Sequence, residues 1–382
     1  MEYNLIAMSI RVLIAEDSSF QRKLIKDMLL SHEEITKVDI ARNGREAIEK
    51  IEELNPDVLI LDLVMPEVDG LTVFKFLSEH YPIPTIIFSA KDPATLDNSV
   101  QALLLGAFEF IIKPKGVWKE EFLKYKERLT SSVLYAAKIK RTYELRNDLI
   151  KKSIDKNALN ELTSKSELWG TPEDIALKLP KETRTPFESN IVVIGTSTGG
   201  PRTLKAILKK IPEDFPSPIL MVQHMDAYFM KQFAKSLDTL CKLQVVVPEN
   251  NEKIQSGMIY LSPGGKHMEI NIINNQPYIK TFVGEPVNFC MPSVDVLFYS
   301  AAKTYKNNTL GIILTGLGED GAAGLEAIKS QGGKTIAESE ETCVLYGMPK
   351  AAARSASLIL PNYQIHEYMI QYARKFTNNQ NN

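Results

Sequence analysis

Short aliphatic runs alternate with amphipathic segments along the first part of the chain. The apolar runs are Arg11–Ala15, Val38–Ala41, Val58–Leu61, Thr85–Phe88 and Glu109–Ile112. The segments between them repeat apolar positions at helical spacing, over Gln21–Leu30, Gly44–Leu54, Leu71–Glu79 and Thr95–Leu105. This alternation is typical of parallel strands joined by crossover helices. We therefore predict a five-stranded (βα)5 domain over residues 10–128.

The pattern changes after this domain. From Lys119 to about Ile154 the apolar residues recur at steps of three, four or seven, which predicts one long helix or two placed end to end. The following stretch, Asp155–Asn190, is polar and is interrupted by prolines at three positions: Pro172, Pro180 and Pro186. We interpret residues 129–189 as a helical segment and a linker.

A second alternation of strands and helices predicts another domain over residues 190–375. Its strand candidates are Ile191–Ile194, Ile219–Val222, Leu243–Val246, Leu310–Leu314 and Thr335–Ala337, with a turn-rich middle from Gly257 to Pro286. We predict a doubly wound, mainly parallel α/β domain. The tail, Asn378–Asn382, is expected to fray.

Composition removes several classes of function. The 382 residues are 44% hydrophobic, and 45 Lys and Arg against 47 Asp and Glu give a net charge of −2. This balance offers no basic excess for nucleic acid, and no stretch approaches the roughly 18 apolar residues that a membrane span needs. We expect a cytoplasmic protein that does not insert into a membrane. Three scattered cysteines without a CxxC motif are expected to be reduced thiols, and any metal is expected at oxygen ligands.

Five polar residues stand at predicted strand ends of the first domain: Glu16, Asp17, Asp62, Ser89 and Lys113. The carboxyl ends of parallel strands converge on one crevice. Crowded carboxylates repel one another unless a cation neutralises them, and all-oxygen ligands suit Mg²⁺. Asp62 could then attack phosphorus as a nucleophile, while Lys113 and Ser89 donate to the transferred group.

Each of these acids taken alone could equally be a helix cap or a loop acid. Their joint placement, together with Lys113 and the turn Met65–Gly70, resembles the receiver domain of response regulators over about Ile10–Arg128. That resemblance implies that Asp62 is the phosphoacceptor, that Glu16 and Asp17 hold Mg²⁺, and that Ser89 and Phe110 form a switching pair. Receivers more often have aspartate where this chain has Glu16.

A serine lies on a glycine-rich turn at the start of the second domain. The run Ile191–Ile194 leads directly into Gly195-Thr196-Ser197-Thr198-Gly199-Gly200, and Pro201–Lys209 is predicted to be a helix. Such a strand-to-helix turn exposes the hydroxyl and brings backbone N–H groups close to it. Two alternatives are a dinucleotide-binding fingerprint, which would need glycine in place of Ser197, and a purely structural turn.

Two later segments could supply a base and its orienting acid. His224 follows the strand Ile219–Val222, and Asp320 lies in the glycine-containing loop after Leu310–Leu314. A serine needs a base because its own pKa is far above neutrality, and the base needs an acceptor that fixes its tautomer. The order Ser, His, Asp differs from that of the α/β-hydrolases, which predicts a different fold with the same chemistry.

Six ordered motifs of this half resemble the catalytic domain of the chemotaxis protein-glutamate methylesterases over about Asn190–Lys375. They are Gly195–Gly200, Gln223–Met225, Ser262–Gly264 with His267-Met268, Pro292–Phe298, Thr315–Gly321 and Gly347–Pro349. The resemblance implies Ser197 as nucleophile, His224 as general base and acid, and Asp320 as the histidine's acceptor. Further candidates for the oxyanion region or the cleft are four residues: Thr198, Gly199, Leu317 and His267. Met291 stands where the family often has arginine.

The resemblance also implies a function. The expected substrate is the γ-methyl ester of glutamate on methyl-accepting chemoreceptors, with glutamine deamidation in some members. A chemotaxis histidine kinase is the expected phosphodonor, Mg²⁺ the cofactor of phosphorylation, and hydrolysis itself is expected to need none. We expect the unphosphorylated receiver to cover part of the cleft near Ser197. The alternative is a receiver-controlled, non-catalytic protein-binding regulator; a transcriptional regulator would need a basic face or a helix-turn-helix, which the second half lacks.

Overall fold

The computed structural model describes residues 9–113, 119–153 and 190–380. Most of the predicted linker and the last two residues of the tail lie outside these ranges. Within the described ranges, no helix is both long enough and apolar enough to span a lipid bilayer.

The first domain is a five-stranded, fully parallel sheet flanked by helices. Its strands are β1 (Ile10–Ala15), β2 (Ile35–Ala41), β3 (Val58–Leu61), β4 (Thr85–Ser89) and β5 (Glu109–Ile112), in the spatial order β2-β1-β3-β4-β5. The helices are α1 (Ser19–Leu29), α2 (Gly44–Leu54), α3 (Gly70–His80) and α4 (Leu96–Leu105). Every predicted element of this domain is present, with ends shifted by a few residues at most. The inner strands β1, β3 and β4 are almost entirely buried because helices cover both faces of the sheet.

A single long helix, α5 (Lys119–Ser153), follows the first domain. Four apolar side chains of its middle part are fully buried in the core of the first domain: Leu129, Val133, Ala136 and Ala137. The Lys140 ammonium donates to the carbonyl of Pro56 at 2.8 Å. The helix is therefore anchored on the first domain, and the alternative of two successive helices does not apply to these residues.

The second domain contains a seven-stranded parallel sheet. Its spatial order is β15-β14-β13-β6-β7-β10-β8, formed by β6 (Ile191–Thr196), β7 (Ile219–Gln223), β8 (Gln244–Val246), β10 (Met258–Leu261), β13 (Thr309–Ile313), β14 (Lys334–Glu338) and β15 (Leu358–Leu360). The helices are α6 (Gly200–Leu208), α7 (Ala227–Asp238), α8 (Val294–Tyr305), α9 (Ala322–Ser330), α10 (Met348–Ala352) and α11 (Asn362–Gln380). The predicted α/β class is confirmed in both halves.

The segment expected to be a turn-rich middle holds more structure than its sequence indicated. It contains β10 of the parallel sheet and an antiparallel hairpin, β11 (His267–Ile273) and β12 (Gln276–Phe282), to which β9 (Glu252–Lys253) adds a third strand. The turn at Asn274-Asn275 has positive φ at both residues, as a type I′ hairpin turn requires. The many turn-forming residues here therefore connect strands.

The two domains contact each other through α4 of the first and through α6 and α7 of the second. The Asp97 carboxylate accepts a hydrogen bond from the Gln232 amide at 2.8 Å, and the Lys205 ammonium donates to the Leu104 carbonyl at 3.3 Å. Beside them, the ring of Phe110 packs edge-on against that of Phe229, with centroids 4.3 Å apart. The interface is thus apolar at this point and carries polar contacts around it.

Candidate active site

The glycine-rich turn fixes Ser197 at the carboxyl end of β6, which is the central strand of the seven and lies between β13 and β7. The Ser197 N–H donates to the carbonyl of Thr315 at 3.0 Å, and the Thr196 hydroxyl donates to the same carbonyl at 3.0 Å. Gly199 has φ of 81°, in the left-handed region that a residue with a side chain rarely adopts. The turn then enters α6 at Gly200, so the serine lies beside the N-terminus of a helix.

Gln223 joins the serine turn to the histidine. Its side-chain amide donates to the carbonyl of Ser197 and to that of His224, each at 2.9 Å. The backbone N–H of His224 also donates to the carbonyl of Thr196 at 3.0 Å. Because β6 and β7 are adjacent parallel strands, both residues come to the same edge of the sheet.

Asp320 meets the imidazole as the sequence predicted. Its carboxylate lies 2.9 Å from Nε2 of His224. It also accepts hydrogen bonds from the Ser293 hydroxyl at 2.7 Å and from the Val294 N–H at 2.7 Å, at the start of α8. Burial acts to raise the pKa of Asp320, but these hydrogen bonds and the helix N-terminus favour the anion, so the pKa is lowered.

The same contact controls the charge of the imidazole. Burial acts to lower the pKa of His224, but the hydrogen bond to Asp320 and the nearby Cys290 thiol outweigh it and raise the pKa to about 9. At neutral pH the ring is therefore mainly protonated in the free protein. It can act as a base only in the fraction that has lost this proton.

Ser197 and His224 line the same cleft, which has a volume of about 420 Å³. Since Nε2 is engaged by Asp320, only Nδ1 remains for the serine. No hydrogen bond joins the Ser197 hydroxyl to the imidazole among the described residues, and Nδ1 faces the Cys290 sulfur at 3.8 Å. Catalytic hydrogen bonds are often long without substrate and shorten in the complex.

The remaining candidates divide between the cleft and other places. Thr198 and Gly199 line the cleft. Leu317 is exposed on the loop before Asp320 and is not among the residues that line it. His267 is buried: its Nδ1 accepts from the Ser293 N–H at 3.2 Å and its Nε2 donates to the Glu285 carbonyl at 3.0 Å. His267 is therefore not a cleft residue as expected: it is buried behind the cleft and contacts the segment that carries Ser293.

Sequence reasoning missed a buried carboxylate that holds the loop after β13. Glu338 accepts hydrogen bonds from the Thr315 N–H at 2.9 Å and from the Thr342 hydroxyl at 2.9 Å. Burial raises the pKa of Glu338. Because the Thr315 carbonyl in turn receives the Ser197 N–H, Glu338 positions the serine turn from below. A single glutamate at a strand end carries no sequence signal for such a role.

The carboxylates of the first domain form the predicted cluster. Glu16, Asp17 and Asp62 offer oxygen atoms that all lie within 4.8 Å of one another. The Lys113 ammonium lies 2.7 Å from Glu16 and 2.6 Å from Asp62. Burial raises the pKa of both buried acids, Glu16 and Asp62, although Lys113 opposes the shift. This crowded, partly desolvated set of carboxylates is a suitable binding site for Mg²⁺.

The two expected switch residues of the first domain are also buried. The Ser89 hydroxyl has no hydrogen-bond partner among the described residues, so it is available to a group arriving at Asp62. Phe110 lies on the neighbouring strand, and its ring contacts Phe229 of the second domain. The carboxylate cluster around Asp62 is therefore connected to the domain interface through β5.

Comparison with known proteins agrees with this architecture. Residues 12–121 match the response regulator receiver domain, and residues 192–369 match the CheB methylesterase family. The chain is 36% identical to the protein-glutamate methylesterase/protein-glutamine glutaminase of Archaeoglobus fulgidus and 37% identical to that of Methanococcoides burtonii, each alignment covering 95% of this chain and 97% of the relative.

Solved structures match each half separately. The crystal structure of the Thermotoga maritima CheB methylesterase catalytic domain is 40% identical, covers 48% of this chain and 98% of its own, and has a TM-score of 0.47. The response regulator domain of Thermotoga maritima CheB is 33% identical over 34% of this chain and 97% of its own, with a TM-score of 0.30. From the full-length relatives, the chain belongs to the family of the protein-glutamate methylesterases/protein-glutamine glutaminases.

Proposed function

We propose that this protein is a phosphorylation-regulated serine esterase that hydrolyses glutamate γ-methyl esters on methyl-accepting chemoreceptors and releases methanol. The observation that carries this proposal is that His224, held by Asp320 at 2.9 Å, lines one cleft together with a serine on a strand-to-helix turn. The names of the full-length relatives support the choice of substrate.

The proposed reaction is acyl transfer through the serine. Ser197 Oγ attacks the ester carbonyl while Nδ1 of His224 takes the hydroxyl proton, and Asp320 stabilises the resulting imidazolium through Nε2. Backbone N–H groups of the serine turn stabilise the oxyanion. The imidazolium then protonates the leaving methoxide, which departs as methanol. Water, deprotonated by His224, attacks the acyl-enzyme and releases glutamate and the free serine.

A glutaminase activity would use the same steps. Attack of Ser197 on a side-chain amide gives the same acyl-enzyme, and the proton from His224 leaves with ammonia in place of methanol. The relatives' names include this second activity. We therefore propose deamidation of receptor glutamines as a further reaction of the same site.

The first domain is proposed to accept a phosphoryl group from a chemotaxis histidine kinase. Asp62 is the phosphoacceptor, and Glu16, Asp17 and Asp62 would hold Mg²⁺, which neutralises the charge of the carboxylates and of the phosphoryl oxygens. Lys113, now paired with Glu16 and Asp62, is placed to donate to the transferred group. Ser89 supplies a second donor.

Control is proposed to operate through the domain interface. The first domain contributes several residues to the wall of the cleft that contains Ser197, among them Phe110 and Arg128. In this arrangement a large protein substrate has restricted access to the serine. Phosphorylation of Asp62 is proposed to shift the population toward a state in which α4 and β5 no longer cover the cleft.

The direct test replaces the serine. We expect Ser197→Ala to lower methanol release from purified methylated receptors by several orders of magnitude, because the triad acts as a unit. Ser256→Ala, an exposed serine of the same domain, is the matched control. A serine-directed organophosphonate should label the protein once, and not the Ser197→Ala variant. Nearly full hydrolysis by Ser197→Ala, or no labelling of the parent protein, would favour a non-catalytic binding module.

A second test addresses the receiver. With Mg²⁺ present, acetyl phosphate should stimulate methanol release by the full-length protein, and Asp62→Asn should remove the stimulation while leaving the basal rate. Asp57→Asn, a half-buried aspartate at the opposite end of the same sheet, is the control. Equal stimulation of Asp62→Asn and of the parent protein would contradict the assignment of Asp62.

A further inference from the structure

The cleft contains a thiol that the proposed reaction does not use. The Cys290 sulfur lies 3.8 Å from Nδ1 of His224, the nitrogen that remains after Asp320 has engaged Nε2. Both residues line the cleft and can be reached from it. Among the described residues, His224, Cys290 and Asp320 form one of two clusters whose ligand atoms all lie within 4.8 Å of one another.

The position of this thiol is fixed by the same hydrogen-bond network that holds Asp320. Val287 and Cys290 exchange backbone hydrogen bonds of 3.1 and 2.9 Å across a turn whose central residues, Asn288 and Phe289, both have positive φ. The Asn288 amide donates to Asp320 at 3.1 Å and to Asp295 at 2.7 Å. The turn that carries Cys290 is therefore tied to the carboxylate that orients His224.

The distances suit a tetrahedral metal ion. Zinc lies about 2.3 Å from a cysteine sulfur and about 2.0 Å from an imidazole nitrogen, which places the two ligand atoms roughly 3.5 Å apart. The observed 3.8 Å is close to this value. A ligating histidine usually donates its other N–H to a carboxylate, and Asp320 already accepts from Nε2 at 2.9 Å.

We propose that Nδ1 of His224 and Sγ of Cys290 bind Zn²⁺ in the cleft, with the remaining positions filled by water, and that the bound ion inhibits hydrolysis by occupying the nitrogen that the serine needs. The inhibitory part rests on the proposed function; the binding part does not. Binding forms the Zn–N and Zn–S bonds and releases two protons to solvent, the thiol proton of Cys290 and the Nδ1 proton that His224 carries at neutral pH. The soft sulfur and the imidazole select Zn²⁺ over Mg²⁺, which the oxygen cluster around Asp62 prefers.

The binding experiment uses Co²⁺ as a spectroscopic substitute for Zn²⁺. The full-length protein is freed of metal with a chelator, and excess Mg²⁺ is then added to fill the carboxylate cluster of the first domain. Titration with Co²⁺ should produce a thiolate-to-cobalt charge-transfer band that saturates at one equivalent and disappears when Zn²⁺ is added. The band should be absent in Cys290→Ser and retained in Cys241→Ser, the control at a half-buried thiol whose pKa burial raises to about 11.

Absence of the band in the parent protein, or its persistence in Cys290→Ser, would overturn the proposed site. The second arm measures methanol release against Zn²⁺ concentration, each variant relative to its own metal-free rate. We expect inhibition that a chelator reverses, and at least a tenfold higher Zn²⁺ requirement in Cys290→Ser than in Cys241→Ser. A charge-transfer band without inhibition would overturn the inhibitory part and count against His224 as the base, while a protein without esterase activity would still reveal the metal site through the band.

Discussion

At the scale of single residues, the candidate site depends on how one imidazole is shared. Asp320 engages Nε2, so the serine and the Cys290 thiol both face the same remaining nitrogen, Nδ1. Asp320 itself is held by the Ser293 hydroxyl and by the N–H of Val294. The orientation of the ring is therefore set by residues of α8 and of the loop after β13, neither of which is near His224 in the sequence.

The raised pKa of His224 predicts a pH dependence. With chelator present, kcat/KM for ester hydrolysis should rise about tenfold from pH 7 to 8 and about fivefold from pH 8 to 9, because only the neutral ring accepts the serine proton. Asp320→Asn should move this limb to lower pH and reduce the maximal rate, since the amide no longer stabilises the imidazolium. The Cys290 thiol also raises this pKa, so Cys290→Ser should move the limb to lower pH as well. Ser256→Ala, at an exposed site of the same domain, is the control that should leave the limb in place. If kcat/KM instead rose with an apparent pKa of 6.5, the ordinary value for histidine, the ion pair between His224 and Asp320 would be contradicted.

The same shift has a consequence for stability. The folded-state pKa of His224 lies above the ordinary value of 6.5, so the ion pair with Asp320 stabilises the fold fully below pH 6.5. This contribution decreases as the pH rises and is lost above about 9. Because the pKa of Asp320 is lowered, the contribution of its carboxylate is instead lost in acid, as the pH falls through its folded-state pKa.

At the scale of elements, α5 is stable because one face of a very polar helix is buried. Leu129 is fully buried in the core of the first domain, whereas Leu123 on the same helix is 49% exposed. An isolated helix gains little from propensity, so its order depends on this packing.

Truncation of α5 side chains should therefore have unequal effects. Leu129→Ala should lower the free energy of unfolding of the first domain by about 2–5 kcal/mol, from lost burial and the cavity left behind. Leu123→Ala, the exposed control, should change it by less than about 0.5 kcal/mol. Urea unfolding followed by circular dichroism on the full-length protein gives both values. Equal effects of the two variants would show that α5 is not docked as described.

At the scale of the whole molecule, the polar part of the interface between the domains is small, so a single substitution there can weaken the contact between the domains. Asp97 on α4 and Gln232 on α7 form one of its hydrogen bonds, and Lys91 and Lys205 contribute positive charge on the two sides. A reversal of charge at Asp97 should weaken this contact without touching the cleft.

We predict that Asp97→Lys raises the basal esterase rate of the unphosphorylated protein. Loss of about 1 kcal/mol from an exposed polar contact corresponds to about a fivefold increase in the uncovered population. Asp27→Lys, the same change at an exposed site on α1, should leave the rate as it is. If both variants hydrolyse methylated receptor at the parent rate, the covering of the cleft by the first domain does not limit activity.

The hydrophobic and polar pattern was enough to predict both α/β domains and the strand ends at which their candidate functional residues lie. Strands β3 and β5 and helix α2 have the predicted ends, because short buried strands and capped helices leave strong local patterns. The loop positions of Ser197, His224 and Asp320 followed from the same rule, since residues at the carboxyl ends of parallel strands share one edge. The hairpin β11–β12 was missed because its many turn residues mask short strands.

Which side chains meet depends on the tertiary packing and could not be predicted from local patterns. Cys290 lies 66 residues from His224 in the sequence, and no spacing rule connects them. The sequence therefore predicted reduced thiols and oxygen ligands for any metal, and gave no sign that this thiol lies beside the imidazole. His267 follows a glycine-rich loop as a cleft residue could, but packing buries it. The contact of Phe110 with Phe229 likewise depends on how two separately patterned domains pack. Local patterns fix elements, whereas contacts between distant residues depend on the packing of the whole chain.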